Sequence, residues 1–214
     1  MTINPEPIGV GSVVKSIATT VVANEVYFGD LDAVVGDGDF GYSLARGFEQ
    51  VLATWDDLDP SEAGPFLHRV GLIITSHVGG TSGPIWGTAA IRAARVASQN
   101  AEIDGAVVAD MLDAAVDGIR ARGAASVGDK TLLDALVPAV EALRAALEAS
   151  EPGDQAVDAM ARAARQGAES TRAMQARRGR ASYAGERSIG SYDAGAVAVA
   201  VLLEDLAASW PRTP

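Results

Sequence analysis

Three carboxylates stand close together early in the chain: Asp32 in "LDAVV", then Asp37 and Asp39 in "VVGDGDFGYS", the stretch from Val34 to Ser43. Spacings of five and two do not share one helical face. They suit a helix end followed by a turn, which can fold the side chains to a common point. Carboxylates gathered in this way repel, and without a cation some of them take up protons. A hard divalent cation removes the conflict, and Mg²⁺ favours a few carboxylates completed by water and phosphate oxygens. Gly36, Gly38 and Gly41 allow positive φ and close approach of backbone to a ligand. Tyr42 and Ser43 then open a helix whose N-terminal amides favour an anion. Taken alone, Asp-Gly-Asp is more often an ordinary turn. Its chemistry depends on what else the chain supplies.

Three further stretches supply it. "GGTSG", Gly79 to Gly83, precedes Pro84 and an apolar helical run. Its Gly-Gly pair can turn backbone N–H groups inward as a phosphate cradle, with Thr81 or Ser82 capping the helix or donating to an anion. It is not a Walker A loop, since no Gly-Lys-Ser/Thr follows. "GDKTLLD", with Asp129 and Lys130, begins another helix, and a plain helix start explains it at least as well as ligand contact. The long irregular stretch from Ala176 to Tyr192, "ARRGRASYAGERSIGSY", carries four arginines. Its glycines let it bend around a ligand, and a loop of that length in a compact domain is usually functional or disordered. His68 and His77 sit in different settings, which argues against a histidine metal site; His77 is placed to buttress the "VGGTSG" loop.

The elements that must position these residues read as helices. Leu44, Phe48, Val51, Leu52 and Trp55 share one helical face, as do Val10, Val13, Val14, Ile17 and Val21. A third face runs from Leu132 to Leu147, with Pro138 as a kink. Gly, Pro, Asp and Ser punctuate the gaps. The segments predict eight helices, at 9–28, 42–57, 61–78, 84–100, 105–122, 130–149, 154–175 and 194–209. Their short connections predict antiparallel neighbours. "AGAVAVAVLLEDL" alternates Ala and Val like a strand, but its length and alanine content favour a helix buried on most sides.

The whole chain agrees with this. Its 214 residues are 48% apolar and 21% charged, with aromatics at 5%, which points to one sizeable core of closely packed helices, a single domain over 1–214. The formal charge of −11 argues against nucleic acid or an anionic membrane as a main partner. The absence of cysteine excludes disulfides and thiolate chemistry and makes the cytoplasm the default expectation. "MTINPEPIGV" lacks the basic-then-apolar pattern of a secretory signal.

The four motifs "LDAVVGDGDFGYSLARGF", "SHVGGTSGPIWGTAAIRAA", "GDKTLLDALVPAVEAL" and "GRASYAGERSIGSYDAGA" together resemble, in order and over nearly the full chain from Asn24, the nucleotide-binding L subunit of dihydroxyacetone kinases. The resemblance implies an all-α fold, an eight-helix antiparallel barrel with the nucleotide, ADP or ATP, at one end. Asp32, Asp37 and Asp39 match the aspartates that hold two Mg²⁺ ions bridging the nucleotide phosphates. Gly80, Thr81 and Ser82 match the phosphate-binding loop, and Phe40, Gly41, Tyr42 and Ser43 follow the aspartates at the nucleotide. Gly123 and Leu132 match positions lining the adenine pocket. Arg180, and Asp193, Ala194 and Gly195, match further nucleotide contacts, with Arg180 counted among the catalytic groups. The resemblance further implies a separate K-type subunit holding the ketose as a covalent adduct on its histidine. An M-type subunit, fed from phosphoenolpyruvate, would recharge a bound ADP.

The chain departs from the phosphotransferase-linked pattern at Phe40, where those members have histidine, and at Ser43, where they have asparagine. "SYDAG" also replaces His-Gln-Asp-Pro-Gly. Two other readings follow: the small subunit of an ATP-dependent ketose kinase acting on erythrulose or a similar sugar, and a nucleotide-dependent regulatory subunit. The intact set of three aspartates argues against the last.

Overall fold

The computed structural model describes residues 8–213; residues 1–7, most of the segment inspected for a leader, and Pro214 lie outside it. Among the described residues the regular structure is entirely helical. The α-helices are α1 (Val10–Ala23), α2 (Glu25–Ala33), α3 (Phe40–Ala53), α4 (Ala63–His77), α5 (Ser82–Ala97), α6 (Gly105–Gly123), α7 (Leu133–Glu148), α8 (Gly153–Ser170) and α9 (Ala194–Ser209).

Seven of the eight predicted segments correspond to single helices. The first is longer than expected and interrupted. At Asn24 the backbone leaves helical geometry, with φ −105° and ψ 16°, and the side-chain amide donates to the Thr20 carbonyl at 2.8 Å. Asparagine competes in this way for backbone groups that would otherwise continue the ladder. The chain resumes helix as α2, and Asp32 lies in its last turn. α7 runs unbroken through Pro138.

Each helix packs on its neighbour in the order α1, α3, α4, α5, α6, α7, α8, α9, and α9 packs back against α1, so the ring closes. α2 lies across α3 and α9. Large side chains fill the half built from α1 to α4: Phe28, Leu44, Phe48, Val51 and Phe66 are essentially inaccessible. Each such side chain contributes roughly 1.5–3 kcal/mol by burial. The other half is packed with alanine. Ala135, Ala139, Ala164, Ala168, Ala196 and Ala200 form a buried seam between α7, α8 and α9, where small side chains let the axes approach. Gly167 is part of that seam, because a Cβ there would run into the Asp134 backbone carbonyl on α7. Ala196 to Ala200 are all buried, which explains why α9 lacks the one-sided pattern of a surface helix.

Closure has a consequence for function. Antiparallel order brings the start of α3, the loop before α5, the loop before α7 and the long segment before α9 to one end of the ring.

Candidate functional site

That end contains a cavity of about 500 Å³, within the range of small-molecule sites. Asp32, Asp37 and Asp39 stand on one side of it, each offering a carboxylate oxygen within 4.8 Å of the others. Asp32 is half-buried, and its carboxylate accepts a hydrogen bond from the Gly38 N–H at 2.9 Å. That bond folds the turn back on the helix end and needs Gly38 at φ +77°, a conformation that costs other residues. Gly36 and Gly41 serve differently from the sequence expectation. Neither has positive φ. A Cβ at Gly36 would strike the Asp32 carboxyl, and one at Gly41 would strike the Glu25 carbonyl. The first admits the carboxylate, and the second admits α2 against α3.

Arg180 approaches from the opposite side on the segment between α8 and α9. Its guanidinium pairs with Asp37 and, at 3.2 Å, with Asp39. All four side chains retain solvent access, so this is an adjustable cluster. The Arg-rich stretch is ordered as 3₁₀ turns over Arg180–Ser188, broken at Gly185. Gly179 and Gly190 also adopt positive φ on this stretch.

The floor is the loop from Gly79 to Ser82. Gly80 takes φ +62° with open space around it. Among the described residues, neither the Thr81 nor the Ser82 hydroxyl caps α5, so both remain available for a ligand. The far wall is apolar: Ile85, Ile119, Gly123 and Leu132 line it. Asp193, Ala194 and Gly195 close the cavity at the start of α9. The Asp193 carboxylate caps that helix by accepting from the Ala196 N–H at 2.8 Å. Burial pushes its pKa up to about 7, the charges of Asp134 and Asp32 add to the rise, and the cap and Lys130 oppose it.

The structure thus brings Asp32, Asp37, Asp39, Phe40, Gly80, Thr81, Ser82, Gly123, Leu132, Arg180, Asp193, Ala194 and Gly195 to one cavity. It does not bring Gly41, Tyr42 or Ser43 there. Gly41 is buried between helices, Tyr42 is exposed and stacked against the Arg46 guanidinium, and Ser43 packs beneath Gly79. A helix start advances 100° per residue, so only its first side chain, Phe40, faces the cavity. His77 is exposed, with its ring bonded to the Ile73 carbonyl of its own helix.

The sequence reading does not single out several participants. Trp86, Arg178 and Tyr192 lie within the quoted stretches without being named there as site residues, and Arg122 lies outside them; all four line the cavity. Asp134 organises the loop before α7, accepting from Gly128 N–H at 2.5 Å and Thr131 N–H at 2.7 Å; its place four residues after Lys130 was the available signal. Lys130 is buried, with 2% of its surface exposed.

Chemically, an all-carboxylate donor set suits a hard divalent cation rather than a soft one. Free hydroxyls and amides at a helix start suit phosphate oxygens. An apolar wall beyond them suits a flat ring. The arrangement can hold a metal, a phosphate chain and a base in a row.

Comparison with known proteins places the chain among relatives of known description. The DAK2 domain model matches residues 34–208. The chain is 40% identical over 181 residues to the Escherichia coli K12 PEP-dependent dihydroxyacetone kinase, ADP-binding subunit DhaL, covering 85% of this chain and 86% of that one. It is 36% identical over 197 residues to the L-erythrulose 1-kinase of Mycolicibacterium smegmatis, covering 91% of this chain but 34% of that protein. The fold superposes with a TM-score of 0.78, at 27% identity, on the dihydroxyacetone kinase from C. freundii crystallised with AMP-PNP and Mg²⁺. That match covers 94% of this chain and 34% of the other.

Proposed function

Because the chain belongs to the DAK2 domain family of dihydroxyacetone kinase subunits, we propose that its cavity binds Mg²⁺ and ADP or ATP and passes a phosphoryl group to a short ketose held by a separate K-type subunit. One observation carries the reading: three carboxylates converge within 4.8 Å at the mouth of a cavity floored by a glycine loop and faced by Arg180, whose guanidinium pairs with Asp37 and Asp39. Asp32, Asp37 and Asp39 would hold the metal, as two ions. When bound, Mg²⁺ supplies charge neutralisation to the phosphates and to the group being transferred.

The chain's own residues do the rest by positioning, which is most of what phosphoryl transfer requires. Thr81, Ser82 and the amides from Gly80 onward orient phosphate oxygens. The wall of Ile85, Ile119, Gly123 and Leu132 takes the adenine. Arg180 turns its guanidinium between the aspartates and the phosphate chain, adding positive charge where negative charge accumulates. No side chain of the cavity acts as a nucleophile in this scheme, since the acceptor hydroxyl arrives with the K-type partner.

The source of the phosphoryl group separates two versions. Identity of 40% over most of both chains to an ADP-binding subunit named as PEP-dependent supports a tightly held ADP that an M-type subunit recharges. Similarity to erythrulose kinases supports ATP exchanging at each turnover, with erythrulose as the acceptor.

Purification with Mg²⁺, followed by denaturation and identification of released nucleotide, distinguishes them. Near-stoichiometric ADP supports the first version. An empty protein that binds MgATP reversibly supports the second. Failure to bind any nucleotide overturns both. As a control, Asp37→Asn should lose more affinity for the Mg-nucleotide than the roughly 10–100-fold that outer-shell changes cost, with an unchanged circular dichroism spectrum.

A further inference from the structure

Lys130 is the one lysine that lines the cavity, and a lysine beside a phosphate site is ordinarily read as a phosphate ligand. Its surroundings say otherwise. The side chain is buried, and its ammonium donates to the Ser188 carbonyl at 2.5 Å, the Ser191 carbonyl at 2.8 Å and the Met174 carbonyl at 3.2 Å. The Ser191 hydroxyl lies at 3.3 Å. An ammonium has three N–H donors, and three carbonyls take them. No donor is left for a phosphate.

The three acceptors bracket the segment that carries Arg180. Met174 stands at its entry, with Ser188 and Ser191 at its exit, and neighbouring bonds run between the same strands of chain. The Arg177 N–H donates to the Asp129 carbonyl at 3.0 Å, and the Arg178 guanidinium donates to the Asp129 carboxylate at 3.1 Å. The Ala176 N–H donates to the Ser188 hydroxyl at 2.8 Å. Lys130 itself adopts φ +62°, a left-handed conformation unfavourable for a side-chain-bearing residue. From there its side chain reaches these carbonyls. Glycine would take that backbone more easily, so the lysine head has a purpose there.

We propose that Lys130 is a positioning residue: its ammonium ties both ends of the 174–191 segment to the α6–α7 loop and thereby sets where Arg180 points, without touching the nucleotide. The assignment deepens the kinase reading and rests on it for the role of Arg180; the tie itself does not. Carbonyls at both ends of a segment meeting one buried cation convert a long flexible loop into a short one with fixed ends.

The test uses the full chain, Lys130→Met, Lys130→Gln as a milder change that keeps two N–H donors, Arg180→Ala, and the Lys130→Met/Arg180→Ala pair. Limited trypsin digestion, with cleavage sites mapped by mass spectrometry, should show cleavage after Arg177, Arg178 or Arg180 at least tenfold faster in Lys130→Met than in the parent. The circular dichroism spectrum should not change. Lys130→Gln should fall between. With the partner subunits present, Lys130→Met should lower kcat about a hundredfold, the scale of an ångström-level misplacement, while the affinity for ADP changes less than threefold. In the Arg180→Ala background the same substitution should lower kcat no further, since neighbours acting through one another are non-additive.

Equal cleavage rates in parent, Met and Gln variants would overturn the tie. Full additivity with Arg180→Ala, or a hundredfold loss of ADP affinity, would mean that Lys130 meets the nucleotide directly and overturns the assignment. If Lys130→Met does not fold, the Gln variant carries the same comparisons. A parent that binds no nucleotide would defeat the kinase reading, and the proteolysis would still decide the tie.

Discussion

Asp193 carries the charge that the site holds least comfortably. Its pKa rises from 3.8 to about 7 because desolvation disfavours its charge and the charges of Asp134 and Asp32 add to the rise. The sign follows from proton linkage. Below the unfolded value both states are protonated and the fold keeps its full stability. Between about 4 and 7 the folded state holds a proton that the unfolded chain has released, so stability falls as pH rises through that window and then levels. Asn at 193 keeps an oxygen to cap α9 and cannot ionise. In EDTA, Asp193→Asn should therefore match the parent near pH 4 and melt higher than the parent at pH 8, with the gap opening between those values. Parallel melting curves across the window would show that Asp193 titrates normally. Lys130 has the complementary problem: burial lowers its pKa, and Asp193 opposes that. The pair shares one pocket, in which each charge makes the other tolerable.

Among the elements, the contact between α2 and α3 sets the carboxylate cluster, since Asp32 lies on one helix and Asp37 and Asp39 lie in the turn to the next. Gly41 is the point of closest approach. A methyl there would meet the Glu25 carbonyl and the Gly29 amide, which are backbone atoms with no side-chain freedom to yield. Gly41→Ala should destabilise the protein by about 1–3 kcal/mol, the usual cost of overpacking. The loss should appear as a lower urea midpoint with an unchanged slope. The same shift moves Asp32 away from its partners, so Mg-nucleotide affinity should fall as well. Loss of stability with affinity retained would separate the cluster from the helix contact. Ion pairs elsewhere on the surface, such as Arg144 with Asp110 and Asp113 or Arg212 with Asp158, involve solvent-accessible side chains and contribute little to this balance.

At the scale of the whole molecule, ring closure by α9 on α1 ties the two chain ends of the bundle together and leaves the loops at one end to carry the chemistry. No helix among the described residues is long and apolar enough to cross a membrane. A ligand that binds only the closed ring stabilises it by mass action. MgADP at a hundred times its Kd should add about 2.7 kcal/mol, a rise in Tm of roughly 5–11 °C for a domain of this size. EDTA should abolish most of that rise, because the carboxylates repel phosphates once the cation is gone. A rise that persists in EDTA would place the nucleotide away from Asp32, Asp37 and Asp39.

The sequence by itself determined the helices and the reactive stretches. Apolar faces repeat every three or four residues wherever a helix rests on a core, and glycines, aspartates and prolines mark the turns between, so both signals are local. The face of Leu44, Phe48 and Val51 and the buried run of α9 are legible for that reason. Tertiary structure decided what the local signal cannot contain. Gly41 reads as a ligand loop residue until α2 is laid against it. Lys130 reads as a helix start until the 174–191 segment closes over its ammonium. Asp193 reads as a nucleotide contact until its carboxylate is seen to cap α9 with Asp134 and Asp32 brought near. Each of these roles belongs to a pair of segments far apart in the chain, and only closure of the ring puts them within the few ångströms over which sterics, hydrogen bonds and charge act.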